Sequence, residues 1–276
     1  MSEAPNSPGS AAPAGQVVGI WSQEPTAPRP GRSPADPDVV VERSEAEADA
    51  FRVAVHEIFA DSELVPELVL DPVLRKRPTT EKGWTTVNLM LDAALNVVIR
   101  EGIREVSTRA VAREVGVNIA TLYQYFEDID SLLLAVALRD QSFRTVALAE
   151  RTIELGETGD MREWLETTVE MLAIDVIQSG HHRAVVTIMQ SVPAVRAVST
   201  MAWETGARYM ATGFAYRYGG DAHSYWLPIT RAVQSAVRLV IDDAAESSPE
   251  DVQRIREVTQ MGWEYLLARI PEPAGT

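Results

Sequence analysis

The chain has 276 residues, enough for one large domain or two modest ones. It carries no cysteine, which excludes disulfides and thiolate chemistry and suits a reducing cytoplasm. A formal net charge of -15 argues against a nonspecific nucleic-acid coat, although a small surface can still be locally neutral or basic. No apolar run reaches the ~18 residues of a membrane span, and MSEAPNSPGS lacks the basic start and apolar stretch of a secretion signal. A cytoplasmic chain with no membrane partner is expected.

Residues 1 to about 38 hold eight of the sixteen prolines, which remove helix donors and fix φ, so no packed core is expected there. With the acidic stretch ERSEAEAD at 42–49, residues 1–50 read as a disordered tail. Residues 51–84 read as a short helix and a basic arm. Phe51, Val55, Ile58 and Phe59 follow helical spacing, ending before Pro66. Their apolar face could dock on the body of the protein or on a partner. Arg75, Lys76 and Arg77, with Lys82 close behind, are either a solvated linker or a contact to phosphate or a minor groove.

From Thr85 the pattern is helical. Val87, Leu89, Leu91, Ala94, Leu95 and Val98 supply the buried side of a helix that ends near Gly102. A second helix runs from about Thr108 to Val115, capped by Ser107 and broken by Gly116. A third covers about Ile119 to Tyr125, with Asn118 as its cap. Asp128 or Asp130 starts a fourth, which buries Leu132, Leu133 and Val136. Further helices are expected at about 131–153, 161–179, 182–217 with a break near Ser191-Val192-Pro193, 223–245 and 250–269. No alternating strand pattern appears, so the fold class is all-α.

The segment with the most functional content is VSTRAVAREVGVNIATLYQYF, residues 106–126. Val111, Ala112 and Val115 bury its first helix, Gly116 allows a tight turn and Val117 fills the angle. Leu122 and Phe126 anchor its second helix. A short helix held at such an angle can enter a major groove while its predecessor crosses the backbone. Any compact helical bundle could also place a glycine between two short helices.

Residues 85 to 137 resemble the DNA-binding domain of the TetR/AcrR family of transcription regulators. The resemblance rests on Ser107-Thr108-Arg109, Ala112 with Gly116-Val117, the run Thr121-Leu122-Tyr123-Gln124-Tyr125-Phe126, and Leu132-Leu133. It implies a helix-turn-helix three-helix domain at 85–130, then a helical effector-binding and dimerisation domain at 131–270. Double-stranded operator DNA, a second copy of the chain and a small-molecule effector are the implied partners. By position, Arg109 would reach a base edge or adjacent phosphate, and Thr108 the backbone. Asn118, Ile119, Ala120 and Gln124 would surround the recognition surface, while Thr121, Tyr123 and Tyr125 hold phosphates and register. Arginine can fork onto guanine, glutamine can pair with adenine, and Ile119 or Ala120 can pack a thymine methyl. Ile129 departs from the family pattern: it stands where many members carry a phosphate-binding lysine, between Asp128 and Asp130.

Trp164, Met171, Met189, Met201, Trp203, Tyr209, Met210, Phe214 and Tyr216 could line an adaptable apolar pocket or fill a helical core. Glu204 and Asp175 could add polar contacts to a ligand. His181 and His182 are adjacent on a helix and do not share a face, so no metal site is expected, and no cofactor. The last two helices, with Ile229, Ala232, Val233, Ala236, Val237 and Val240, then Ile255, Val258, Met261, Trp263, Leu266 and Leu267, offer apolar faces beyond a small monomer's need, which paired across a two-fold axis would make a four-helix dimer interface. A DNA-binding regulator is the leading reading, with a helical sensor or interaction module as the alternative. No acid–base pair or phosphate loop suggests an enzyme.

Overall fold

The computed structural model describes residues 43–61, 69–157, 160, 161, 163, 164, 166–168, 180–243 and 248–270, all within the unit Pro34–Thr276. The proline-rich segment to 42, Pro66, Met171, Asp175, most of the helix expected at 161–179, and the side chains of Phe59 and His182 lie outside the described residues.

All the described regular structure is helical. Helix α1 spans Glu45–Asp61. It begins earlier than its apolar spacing predicts because the acidic stretch contains a capping box: Ser44 N–H donates to the Glu47 carboxylate (2.8 Å) and Glu47 N–H to the Ser44 hydroxyl (3.3 Å). Helix α2 spans Glu81–Glu101, capped by Thr80, whose hydroxyl accepts from Gly83 N–H at 3.1 Å. Its buried residues cover a little more than half of its girth, and the other face is exposed. Leu89 is a correction to the expected face. It is 50% exposed, because Thr85, Leu89, Asp92 and Asn96 share the one outward stripe at helical spacing.

A 3-10 turn at Ile103–Glu105 leads to α3, Thr108–Val115, and α4, Ile119–Tyr125. The long α5 spans Ile129–Glu157. Helices α6, His181–Ser191, and α7, Pro193–Tyr218, are split where expected. The Val192 N–H closes α6 on Ile188 O at 2.8 Å, and Pro193 has no N–H with which to continue it. A π turn at Ala222–Trp226 precedes α8, Leu227–Asp243. Helix α9, Pro249–Leu267, starts with a capping box between Ser248 and Asp251.

Three apolar cores organise these helices. One runs from α2, α3 and α4 through the start of α5 into α6 and the start of α7. Ala184, Val185 and Ile188 of α6 belong to the same core as Leu122 and Phe126, and α2 links the two regions by packing on both α3 and α6. The second joins α5, α7, α8 and α9 around Trp164, Phe214, Trp226 and Trp263. Trp164 and Trp263 meet edge to face, centroids 5.3 Å apart. The third packs Phe51, Val55 and Ile58 of α1 on Tyr209 of α7.

Candidate nucleic-acid interface

Helices α3 and α4 are set by local signals. The Ser107 hydroxyl accepts from Ala110 N–H at 3.2 Å, and Asn118 Oδ1 accepts from Ala120 N–H at 2.9 Å. Gly116 turns the chain between them at φ 75°, ψ 28°, a left-handed conformation that glycine adopts without strain. Val117 N–H then returns to Ala112 O at 3.0 Å. Leu122 and Phe126 are fully buried and fix the seat of α4.

The side chains divide cleanly around that seat. Arg109, Asn118, Ala120, Tyr123 and Gln124 are exposed, and Thr108, Ile119, Thr121 and Tyr125 are half-buried. Thr108 Oγ1 and the Tyr123 hydroxyl lie 3.2 Å apart, joining the first turn of α3 to α4. The two groups the resemblance assigns to the backbone are therefore presented together. Arg113, also exposed, lies one turn from Arg109 on α3 and was missed in the sequence. Its i,i+4 spacing from Arg109 was the available signal. On the other side, Arg100 forks onto Glu114 at 3.1 and 3.0 Å, tying α2 to α3 and holding the Glu114 carboxyl below its usual range.

The basic arm is not uniformly available. Arg75 caps the end of α4: its N–H donates to Tyr125 O at 2.8 Å and its guanidinium to Tyr123 O at 3.3 Å. Arg77 pairs with Asp71 and lies over the Trp84 ring, 5.7 Å from its centroid. Lys76 and Lys82 remain exposed, with no ion pair among the described residues. Between residues 75 and 126 there are eight Lys and Arg against five Asp and Glu, a locally basic region in an acidic chain. Ile129 is half-buried against the first core, and Asp128 accepts from Ser131 N–H at 2.8 Å to start α5. The position of the missing lysine is thus used for packing and its acidic neighbour for capping.

The residues considered for a ligand pocket are spread over all three cores. Met189 and Met201 pack on the first, Trp164, Trp203, Met210 and Phe214 on the second, and Tyr209 on the third. Of that set, Met189 lines a cavity of about 180 Å³ between α6, α7 and α8, together with Val186, Arg196, Ser199, Arg238 and Asp242. Glu204 is engaged by Arg231, Oε2 to Nε 2.9 Å. Among the described residues no three His, Cys, Asp or Glu side chains gather as metal ligands, and no helix is long and apolar enough to cross a membrane.

The expected dimer face changes in detail. Val233, Val237, Ile255, Trp263 and Leu266 are buried within the protomer, because α8 and α9 pack so closely that a Cβ on Gly262 would come within 2.6 Å of Val233. Leu239, Met261 and Tyr265 are the large apolar side chains these helices leave exposed.

This architecture is a TetR-family-like fold with a helix-turn-helix region. Residues 90–136 match the family model of bacterial regulatory proteins, tetR family. A crystal structure of a candidate TetR-family transcriptional regulator from Mesorhizobium loti matches with a TM-score of 0.56 and 17% identity, over 68% of this chain and 98% of that one. At that identity the likeness speaks to fold alone. The multidrug binding protein EbrR complexed with imidazole matches more loosely, with a TM-score of 0.47 and 21% identity, over 68% of this chain and 96% of that one. No curated protein matches the chain.

Proposed function

We propose that the chain is a sequence-specific DNA-binding transcriptional regulator, a repressor that a small-molecule effector releases from its operator. The observation that carries this reading is the exposed set Arg109, Asn118, Ala120, Tyr123 and Gln124, presented by two short helices whose turn is held by buried Leu122 and Phe126. Arg109 and Gln124 supply base-reading chemistry, with the Thr108 and Tyr123 hydroxyls beside them able to donate to phosphate oxygens. Lys76 and Lys82 add charge with no ion pair among the described residues, and exposed Arg113 adds more beside Glu114.

One such helix reads few base pairs, so a homodimer is part of the proposal. Exposed Leu239, Met261 and Tyr265 on α8 and α9 support an isologous contact. The operator would then carry two symmetric half-sites about 34–36 Å apart.

The test is binding to the DNA upstream of its own coding sequence, titrated at several salt concentrations beside scrambled DNA. Selective binding should weaken with salt, with a logarithmic slope of about 0.9 per phosphate contacted. Failure there and across a random-sequence selection would remove the reading. It would leave a helical interaction module, which the engaged Arg75 and Arg77 and the packed Ile129 favour.

A further inference from the structure

Helix α1 covers the joint between α5 and α7. Phe51, Val55 and Ile58 form its buried face, against Leu148, Ala149 and Ile153 of α5 and Tyr209 and Tyr216 of α7. Phe51 stacks flat on Tyr216, ring centroids 4.1 Å apart and planes 6° from parallel. The recess that receives it exists because residue 156 has no side chain. A Cβ there would come within 2.7 Å of the Phe51 ring and 2.8 Å of Tyr216.

The holding contacts at the rim are of a different kind. Arg43 donates to Tyr216 O at 3.1 and 2.7 Å, Arg52 pairs with Glu157 at 2.5 Å, and Asp61 with Arg208 at 3.6 Å. The two ion pairs are solvent-exposed, and such pairs hold weakly.

Beneath α1 the Tyr209 side chain is fully buried, and its hydroxyl has no hydrogen-bond partner among the described residues. Burial also pushes the phenol's pKa up, so it stays a donor. An unpaired buried hydroxyl bears the whole desolvation cost of the group, which phenylalanine at the same position would avoid.

We propose that this cleft is the binding site for a small planar aromatic anion, a carboxylate or sulfonate whose ring stacks on Tyr216 and whose oxygen accepts from Tyr209, and that α1 is a tethered plug the ligand displaces. Phe51 stands in for the ligand's ring. Removal of α1 also frees Arg208 at the rim from Asp61, adding positive charge for the anion, while Glu157 loses Arg52 at the other end. The ligand gains what the plug lacks, an acceptor for the buried phenol.

The inference deepens the effector part of the regulator reading by locating the site and its ligand class. The plug lies on the chain segment that leads, beyond residues 62–68, to buried Val69 and Leu70 and then to Arg75 at the end of α4. Its displacement therefore acts on a segment joined to the reader.

The probe is 1-anilinonaphthalene-8-sulfonate, titrated by fluorescence into the full-length chain, with near-ultraviolet circular dichroism to establish native packing. Phe51→Ala should bind it at least tenfold more tightly than the wild type, at one site per protomer. Phe51→Ala with Tyr209→Phe should lose at least tenfold of that gain. The double variant Arg52→Glu/Asp61→Lys, altered only at exposed positions, should also bind more tightly while leaving the recess intact. Saturating probe should expose Arg43 and Arg52 of the wild type to trypsin. Equal binding by wild type and both loosened variants, indifference to Tyr209→Phe, or binding without new cleavage at α1 overturns the proposal. None of these readouts uses DNA, so a chain that passes them yet ignores every operator loses only the regulator reading.

Discussion

The α3–α4 region and the aromatic bundle are both helical, yet they use their side chains in different ways. In residues 107–126 Leu122 and Phe126 are buried as anchors, Arg109 and Gln124 are exposed, and Ile119 and Tyr125 lie half-buried. In the bundle, Trp164, Phe214, Trp226 and Trp263 come from separate segments and pack on one another. Arg109 and Gln124 leave polar groups exposed at the surface of α3 and α4, while Thr108 and Tyr123 lie within hydrogen-bond distance of each other and Asn118 caps α4. In the bundle the indole donors are satisfied internally: the Trp226 N–H donates to Gly219 O at 2.8 Å and that of Trp164 to Arg151 O at 3.0 Å. Among the buried hydroxyls of the described residues, that of Tyr209 is left without a partner.

The comparison is sharpest where an anchor is removed from each region. Phe126→Ala and Trp226→Ala both empty fully buried sites, and each should lower the unfolding free energy by about 3–5 kcal/mol in urea titrations. Phe126→Ala should in addition abolish operator binding under conditions where the variant is still folded. Equal DNA affinity in the two variants would break the distinction between anchor and core.

Arg109→Ala should do the reverse. It is exposed on α3, so the urea midpoint should stay within the range of ordinary surface changes, while operator affinity falls by about 1–3 kcal/mol, roughly 5- to 150-fold. A stability loss with unchanged affinity would place Arg109 among the structural residues instead.

The basic arm supplies a finer test. Lys76→Ala should reduce the salt dependence of DNA binding by about one phosphate contact without affecting folding. Arg75→Ala removes a donor to the Tyr123 carbonyl at the end of α4, so its effect should appear in stability as well as affinity. Identical behaviour of the two would mean that the capping contact has no weight in solution.

The smallest effect belongs to the bundle. Arg231 beside it holds the Glu204 carboxyl below its usual range. A depressed folded-state pKa adds stability above the unfolded value of about 4.3, and that stability is lost as pH falls through the folded value. With the side chains 50% and 41% exposed, screening reduces the contribution to about a few tenths of a kcal/mol. Glu204→Gln should flatten the decline in stability below about pH 5 by that amount.

The amino-acid order was enough for the helical class and for the boundaries of α3 and α4, because Ser107, Gly116 and Asn118 act on backbone groups within one turn of themselves. It was also enough for the split at Pro193, where a missing N–H ends a helix whatever surrounds it. What periodicity could not supply was which of two apolar faces meets which neighbour. Leu89 looked buried and faces out, while Val233 and Trp263 looked free for a partner and are buried within the protomer. The burial of Phe51 on Tyr216, the unpaired hydroxyl beneath α1 and the contacts of Arg75 with the end of α4 arise from groups 48 or more residues apart in the chain. Such contacts depend on the shape of the packed helices, and no local pattern of side chains encodes that shape.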